Sequence, residues 1–338
     1  MGRKTTARDV AAAAGVSTAT VDRVLNDRGG VTEEKEQAVL AAARRLGLDR
    51  ALGQRPARTL RIAVLAQPPN NPFHADIQSG FEAANHAFPQ FNMQFRIHHI
   101  DADRSDRIAR QITDLVPRHD GIVIVSAYDG EIASALTGFS GAGKPVITLA
   151  TDIRGIGPHL YVGPDNRKAG RVAGDLMGRF LGAEGGDVIA VAGLLSMIGH
   201  RERVEGFREV LTERYPQARV SEVLESRERR DLAADLVFQA IKRNPRARGI
   251  YNASTGAQPI IASLTALKRP EGIVYVTHEL TGERRRLLRA GLIDAIIDQG
   301  PAQEVRTAVE TMAALFGRAE AFPVSLITPL HIHTVENC

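Results

Sequence analysis

Residues 5–26 read TTARDVAAAAGVSTATVDRVLN, and this stretch decides the architecture expected for the N-terminal part of the chain. Its apolar residues recur at helical spacing. Gly15 interrupts the pattern and accepts the positive φ that a sharp turn between two helices requires. Ser17 follows as a favourable N-cap for the second helix. The stretch therefore predicts two short helices joined by a tight turn.

A third helix is expected directly downstream. Thr32 is a suitable N-cap, Glu33 and Glu34 favour the helix dipole in the first turn, and apolar residues recur up to Gly47. Two short helices joined at a glycine and followed by a packing helix are typical of a helix-turn-helix. Helical spacing alone equally allows a three-helix bundle of structural or protein-binding type.

Charge separates this segment from the rest of the chain. Residues 1–61 carry a net charge of +5, whereas the remaining residues carry −1. A phosphate backbone is a natural partner for such a basic segment. Charge alone leaves a solvated basic arm as an equal alternative.

In a helix-turn-helix, the second helix enters the major groove and its early residues contact base edges. Those residues here start at Ser17. Thr18 and Ala19 are short enough to contact thymine methyl groups, and Arg23 can donate two parallel hydrogen bonds to a guanine edge. The candidates for phosphate contacts that fix the register are Thr6, Ser17, Thr20 and Asn26.

This segment resembles the LacI family of bacterial repressors. The match is carried by Asp9-Val10-Ala11, Ala14-Gly15-Val16-Ser17, Thr20-Val21 and Arg23-Val24-Leu25-Asn26. The resemblance implies a DNA-binding domain over residues 1–47 that binds a pseudo-palindromic operator as a homodimer. Asp22 stands where the family has serine, so its carboxylate is expected to point away from phosphates or to pair with Arg23 or another basic residue.

The resemblance also implies a hinge helix with a leucine that wedges into the minor groove. The matching linker spans residues 48–59, and Leu52 is the candidate wedge. Gly53 and Pro56 interrupt it, because proline cannot continue a helix that began more than a turn earlier. The linker thus departs from the usual hinge, and its arginines either hold DNA phosphates or face solvent.

From Leu60 onward, short apolar runs alternate with amphipathic stretches. Continuous apolar strands that alternate with helices indicate parallel sheets buried on both faces. The alternation is too long for one small sheet, so residues 60–338 are expected to form two α/β lobes, the second over about 164–296. Ligands bind beyond the carboxyl ends of such strands. The residues there are polar with a few aromatics, which suits a hydroxyl-rich ligand.

This part resembles the type I periplasmic sugar-binding fold, the regulatory half of LacI proteins. Its best markers include Asn71-Pro72-Phe73, Asp165-Asn166 and Arg201-x-Arg203-x-x-Gly206-Phe207. Carried over by position, the implied ligand contacts are Asn71, Phe73, His74, Thr151 or Asp152, Arg203, Ser254, Glu279 and Gln299, with Asp165 at the opening of the second lobe. Arg203 is expected to bind a pair of hydroxyl groups or an acidic substituent of the ligand. An ion pair with Glu202 or Glu205 is its alternative.

Two motifs are set aside. Residues 138–144 nearly spell a phosphate-binding loop, but Pro145 replaces the serine or threonine that would hold magnesium. The histidine pairs at 98–99 and 331–333 have no acidic or cysteine partner at ligand spacing. No catalytic set, metal site or cofactor is therefore expected.

The expected molecule has an all-α helix-turn-helix head and an α/β two-lobe, periplasmic-binding-protein-like regulatory domain. We expect a cytoplasmic repressor that binds operator DNA as a homodimer under the control of a carbohydrate or polyol. The single cysteine, the absence of a signal-peptide pattern and the lack of a long apolar run agree with this expectation and with no membrane contact. The alternatives are a sugar-binding protein without a DNA function and an α/β enzyme that uses the cleft.

Overall fold

The structure is a computed structural model that describes residues 5–26, 28–46, 48, 58–268 and 272–338. The chain divides into two compact units, Met1–Thr59 and Leu60–Cys338. The expected wedge residue Leu52 lies outside the described residues, as does most of the linker. Every helix in the described part of the chain is too short or too polar to span a bilayer.

The first unit contains three helices, α1 Ala7–Ala14, α2 Thr18–Leu25 and α3 Glu33–Leu46. Gly15 ends α1 with φ of 66°, the left-handed conformation that the sequence predicts for this turn. Ser17 caps α2, because its hydroxyl accepts a hydrogen bond from the backbone N–H of Thr20 at 3.1 Å. The three helices share one core, formed by Val10, Ala11, Val21, Val24, Val39, Ala42 and Ala43.

The second unit consists of strands and helices in near-regular alternation. Its strands are β1 Leu60–Ala66, β2 Met93–His99, β3 Gly121–Ile124, β4 Val146–Leu149, β5 Leu160–Val162, β6 Gly186–Ala192, β7 Ala218–Glu225, β8 Ala247–Asn252, β9 Val274–His278, β10 Ala295–Asp298 and β11 His331–His333. Its helices are α4 Pro72–Ala87, α5 Ser105–Leu115, α6 Gly130–Gly141, α7 Asn166–Leu181, α8 Ile198–Arg214, α9 Arg230–Arg243, α10 Ala257–Ala266, α11 Gly282–Arg289 and α12 Pro301–Leu315.

The first lobe is built on a parallel sheet in the order β2-β1-β3-β4-β5. Side chains alternate across β1: Ile62 and Val64 pack with α4 and α12, whereas Ala63 and Leu65 pack with α5 and α6. All four side chains are completely buried. Burial on both faces explains why the sequence shows a continuous apolar run here.

The second lobe has the strand order β11-β10-β9-β8-β6-β7. Strands β6 to β10 are parallel, but β11 runs antiparallel to β10 at one edge, unlike the parallel sheets expected from the sequence. The chain reaches β11 from the first lobe, after α12, so no crossover helix within this sheet imposes a parallel direction.

The chain passes between the lobes after β5, after β10 and before β11. The first and third passages are hydrogen bonded to each other: Gly163 N–H donates to Leu326 O at 3.2 Å, and Thr328 N–H donates to Gly163 O at 2.9 Å. Paired connecting segments of this kind are suited to hinge closure, since a few residues can absorb the rotation of one lobe against the other.

Helices α7 and α8 approach closely through glycines. A Cβ at Gly170 would lie 2.6 Å from the carbonyl carbon of Arg203 and closer still to its oxygen. A Cβ at Gly206 would likewise collide with the carbonyl oxygen of Arg167. Deeper in the lobe, the rings of Phe207 and Tyr251 stack with centroids 4.2 Å apart. This packing places the first turn of α7 beside α8 and thereby fixes Asn166 next to Arg203.

Candidate functional site

An inner cavity of about 40 Å³ lies between the two lobes, beyond the carboxyl ends of several strands. That volume holds about three water-sized spheres. Most of its lining residues are polar. The lining includes Gln67, Asn71, Phe73, His74, Thr151, Asn166, Met197, His200, Arg203, Glu228, Ser254, Thr255, Glu279 and Gln299. The position agrees with the rule that α/β sheets bind ligands at these strand ends.

A wider outer chamber of about 670 Å³ adjoins the inner cavity and shares Gln67, Asn71, Glu228 and Thr255 with it. Its first-lobe wall includes two acidic residues and its second-lobe wall three basic ones, namely Asp101, Asp103, Arg227, Arg229 and Arg230. A ligand larger than the inner cavity must extend into this chamber or move the lobes apart.

Eight of the residues proposed from the sequence line the inner cavity, namely Asn71, Phe73, His74, Thr151, Arg203, Ser254, Glu279 and Gln299. Asp152 and Asp165 do not. Asp152 accepts hydrogen bonds from Thr148 Oγ1 at 2.9 Å and His159 Nε2 at 3.0 Å. Asp165 is exposed and caps α7 by accepting from Lys168 N–H at 2.9 Å. Of the neighbouring pair 151–152, only Thr151 is therefore a cavity residue.

Arg203 is the buried cation of the site, with 4% of its surface exposed. Its Nε donates to Asn166 Oδ1 at 2.7 Å, and its Nη2 donates to Gln299 Oε1 at 2.6 Å. No carboxylate pairs with it in the described part of the chain; Glu202 pairs with Arg154 instead. A guanidinium has five N–H donors, so those not used by the two amides can bind ligand oxygens.

Several cavity residues connect the lobes directly. Asn71 Nδ2 donates to Glu228 Oε2 at 3.2 Å, and Gly199 N–H donates to Thr151 Oγ1 at 3.0 Å. Outside the lining, Tyr128 N–H donates to Ser196 O at 3.1 Å. A ligand that competes for the first two contacts would alter the distance between the lobes.

The carboxylate of Glu279 is paired within the protein. Arg284 Nη1 donates to Glu279 Oε2 at 3.0 Å, and Arg284 Nη2 donates to Ser254 O at 2.6 Å. Glu279, Glu228 and Ala150 all adopt positive φ, between 57° and 63°, which is unusual for residues other than glycine. Such backbone strain clusters at ligand-binding positions.

Two histidines of the lining, the buried His74 and the largely buried His200, are neutral near neutral pH. Burial lowers the pKa of His74 to about 4, and its Nδ1 has no hydrogen-bond partner among the described residues. Burial, assisted by Arg203, lowers the pKa of His200 to about 3. His200 Nδ1 accepts a hydrogen bond from Leu194 N–H at 3.1 Å, which leaves the ring proton on Nε2.

Gln67, His200 and Glu228 are lining residues that are not predicted from the sequence. Glu228 follows β7, whose sequence ARVSEVLE mixes polar and apolar residues because it is an edge strand of the sheet. A search for continuous apolar runs passes over such a strand and therefore over the loop after it. The alternation within residues 218–225 is the signal that could have located Glu228.

The exposed face of α2 carries three of the side chains proposed for base contacts, Thr18, Ala19 and Arg23. The Arg23 guanidinium has no hydrogen-bond or ion-pair partner within the described residues. Asp22 accepts from Arg28 at 2.9 Å and Asn26 at 2.6 Å, so it pairs with a basic neighbour other than Arg23.

The four candidates for phosphate contacts all make local hydrogen bonds. Thr6 and Asp9 form the capping box of α1, with Thr6 Oγ1 donating to Asp9 Oδ2 at 2.7 Å. The hydroxyls of Ser17 and Thr20 lie 2.9 Å apart, and Asn26 donates to Asp22. These contacts stabilise the helix ends of the first unit.

Glu304, in the first turn of α12, is expected to make the stability of the second unit depend on pH. It is completely buried, and neither carboxyl oxygen has a hydrogen-bond partner in the described part of the chain. Burial raises its pKa well above the ordinary value of 4.5. The folded state therefore keeps a proton that the unfolded chain releases above that pH, so stability falls as the pH rises, by up to about 1.4 kcal/mol per pH unit.

Glu304→Gln should remove this slope, because glutamine stays neutral in both states. As the pH rises from about 5 to 8, we expect the free energy of unfolding of the variant to increase relative to that of the native chain, as measured by urea unfolding. Glu310→Gln, in a more exposed ion pair with Arg306 on the same helix, is the matched control and should keep the native slope. Equal slopes for all three proteins would refute this account of Glu304.

Comparison with known proteins identifies a matching family and relatives that align with part of the chain. A family model described as a periplasmic binding protein domain matches residues 9–319. The HTH-type transcriptional regulator DegA of Bacillus subtilis (strain 168) is 26% identical over 214 residues, which cover 62% of this chain but only 61% of DegA. The maltose regulon regulatory protein MalI of Escherichia coli (strain K12) is 29% identical over 251 residues, or 72% of this chain and 70% of MalI.

Solved structures share the fold of the second unit. An ABC transporter solute binding protein from Burkholderia graminis C4D1M, solved in complex with D-arabinose, superimposes with a TM-score of 0.76 at 22% sequence identity. The superposition covers 84% of this chain and 98% of that protein. The two-lobed α/β architecture is thus that of periplasmic binding proteins. Because the family model also spans most of its residues, the chain belongs to the periplasmic binding protein domain family.

Proposed function

We propose that the chain is a DNA-binding transcription regulator, a repressor, whose affinity for operator DNA is set by a small carbohydrate or polyol held between the two lobes. The observation that carries the proposal is the presence in one chain of a basic three-helix unit with an exposed Arg23 and of a polar cavity at the lobe junction. The regulator acts in the cytoplasm as a homodimer.

The DNA-binding part of the proposal is supported by the geometry of the first unit. Helix α2 starts at a side-chain cap, buries Val21 and Val24, and exposes Thr18, Ala19 and Arg23 on another face. A recognition helix in a helix-turn-helix needs such an exposed face with polar and basic side chains, which supports the proposal. Regulators such as DegA and MalI are among the relatives, and DegA is named as an HTH-type regulator.

The effector part is supported by the chemistry of the lining. Amide, hydroxyl, carboxylate and guanidinium groups surround the cavity, and Phe73 supplies an aromatic face. Such a mixture suits a ligand rich in hydroxyl groups. A ligand that binds one lobe arrangement more tightly shifts the population toward it, and DNA affinity changes if DNA also prefers one arrangement.

The DNA contact is tested by Arg23→Ala. A bidentate arginine–guanine contact contributes about 1–3 kcal/mol of discrimination, so we expect the variant to bind its specific site at least about fivefold more weakly. The measurement is a gel shift at moderate salt with genomic fragments that include the region upstream of the gene. Lys35→Ala, which removes one exposed charge from α3, is the control for nonspecific electrostatics and should change affinity less.

A second candidate function is that of a sugar-binding protein without a DNA function. It is favoured by the similar fold of the Burkholderia graminis protein, which was solved in complex with D-arabinose. The same gel shift separates the two. Specific binding that Arg23→Ala weakens supports the regulator, whereas the absence of any specific binding at moderate salt rejects it.

A further inference from the structure

Glu228 is a largely buried carboxylate in the lining of the inner cavity. It lies in the loop between β7 and α9 with only 12% of its side chain exposed. Gly193 makes room for it, since a Cβ there would lie 2.7 Å from Glu228 Cδ and 2.6 Å from His200 Cε1. The carboxylate is therefore held in a defined place against the second lobe.

The groups that contact Glu228 are all neutral. Asn71 Nδ2 donates to Oε2 at 3.2 Å, and Ser254 Oγ donates to Oε1 at 3.4 Å. His200 Nδ1 lies 3.6 Å from Oε1, but it already accepts the Leu194 N–H and carries no proton to donate. No cation contacts Glu228 within the residues that the structure describes. Glu279 differs, because it has Arg284 as an ion-pair partner.

A buried carboxylate without a cation is unfavourable, so the group either binds a proton or receives a cation from a ligand. Burial, and to a smaller extent the negative charge of Glu279, raises the pKa of Glu228 to about 7. The ionised form is thus accessible near neutral pH. A cationic ligand group would stabilise this form and would be stabilised by it in return.

Arg203 imposes a complementary requirement within the same cavity. Its described hydrogen bonds go only to the neutral amides of Asn166 and Gln299, and its remaining N–H groups need oxygen acceptors. Hydroxyl oxygens satisfy this need. The cavity therefore suits a molecule that presents hydroxyl groups to Arg203 and a cation to Glu228.

We propose that the effector is an amine-bearing polyhydroxylated compound, an amino sugar or amino polyol, whose protonated amine contacts Glu228. This inference rests on the proposed function, since it names the chemical class of the ligand that occupies the regulatory site. A neutral sugar or a sugar acid in the same cavity is the competing outcome of the test below.

Matched pairs that differ by one amine test the proposal on the full chain. The probes are glucosamine with glucose and galactosamine with galactose, titrated calorimetrically at about pH 7, and glucamine with sorbitol, titrated at about pH 8. A hydrogen bond to a charged group contributes about 1.5–3 kcal/mol, so we expect the amine to bind about tenfold more tightly, or better, in at least one pair. Glu228→Gln should reduce that preference to about threefold or less.

Glu225→Gln is the matched control. Glu225 is exposed at the end of β7, accepts from Leu195 N–H at 3.0 Å and is not part of the cavity lining. The variant should keep the preference for the amine. The melting temperature of each variant shows that it is folded, and Glu228→Gln should be at least as stable as the native chain at pH 8 because it removes a buried charge.

The pH dependence gives a second readout. The titratable or charged groups that face Glu228 or act on its charge are His200, Glu279, Arg284 and Arg203. Glucamine carries an alkyl amine like that of lysine and stays protonated throughout. Its affinity should fall as the pH drops from about 8 to 6, because Glu228 takes up a proton that the bound state must release. Glu228→Gln should abolish this fall.

The proposal is overturned if no amine of the panel binds, if every compound that binds is neutral or acidic, or if the preference survives in Glu228→Gln. In that case the proposed function is still supported if a neutral or acidic ligand changes the affinity of the chain for DNA. Conversely, an amine that binds through Glu228 while no specific DNA binding is found supports this inference and rejects the regulator.

Discussion

Gly170→Ala is expected to lower the free energy of unfolding of the second unit by about 3 kcal/mol or more, at the upper end of overpacking effects. The added Cβ would meet the backbone of Arg203, at 2.6 Å from its carbonyl carbon and 2.8 Å from its Cα. Backbone atoms cannot rotate away as a flexible side chain can, so α7 and α8 would have to separate. Their separation would also pull Asn166 away from Arg203.

Urea unfolding monitored by circular dichroism measures this effect. The control is Gly138→Ala, in the interior of α6, where an added Cβ meets nothing within 4 Å. It should stabilise the protein by about 0.5–1 kcal/mol, because alanine loses less backbone entropy than glycine in a helix. A Gly170→Ala protein as stable as the native chain would show that the two helices are not held by this close approach.

Arg203→Ala is expected to weaken effector binding by about 100-fold. Two hydrogen bonds from a buried guanidinium to a ligand contribute about 1.5 kcal/mol each or more, and a factor of 100 corresponds to about 2.7 kcal/mol. The variant also leaves Asn166 and Gln299 without their shared donor, so the position of both amides becomes less defined. Any compound that stabilises the native chain in a thermal-shift screen is a suitable probe.

Arg201→Ala is the control for this prediction. Arg201 lies two residues away on α8, but its side chain is 48% exposed. Its Nε lies 3.9 Å from Glu205 Oε1 in a surface ion pair. Surface pairs of this kind contribute about 0–1 kcal/mol, so the variant should bind the ligand normally. Unchanged affinity in folded Arg203→Ala would remove Arg203 from the ligand site.

The sequence predicts the layered core of the second unit because buried parallel strands are apolar on both faces. The runs that become β1, β3, β4 and β6 are visible for this reason. The strands β2, β7 and β11 contain polar residues or lie at sheet edges, and they carry a weaker signal. Because β7 lacks a continuous apolar run, the sequence does not indicate this strand or the loop after it, which carries Glu228.

The direction in which a side chain points is the second feature that the sequence does not predict. Thr151 and Asp152 are adjacent and both polar, yet Thr151 lines the cavity while Asp152 is bonded to Thr148 and His159. Similarly, Asp22 is hydrogen bonded to Arg28 and Asn26, whereas the neighbouring side chain of Arg23 is exposed. These partners lie only four to seven residues away along the chain. Several polar side chains compete within that distance, so spacing alone does not specify which of them each carboxylate contacts.

The central claim is that ligand binding and DNA binding are coupled in one chain. Its most direct test is a fluorescence-anisotropy titration of a labelled operator fragment with the full chain, with and without saturating effector. Coupling free energies of about 1–3 kcal/mol predict at least about a fivefold change in the Kd for DNA. Arg203→Ala should keep the DNA affinity of the unliganded chain and lose the change. The same Kd with and without bound effector would contradict the account.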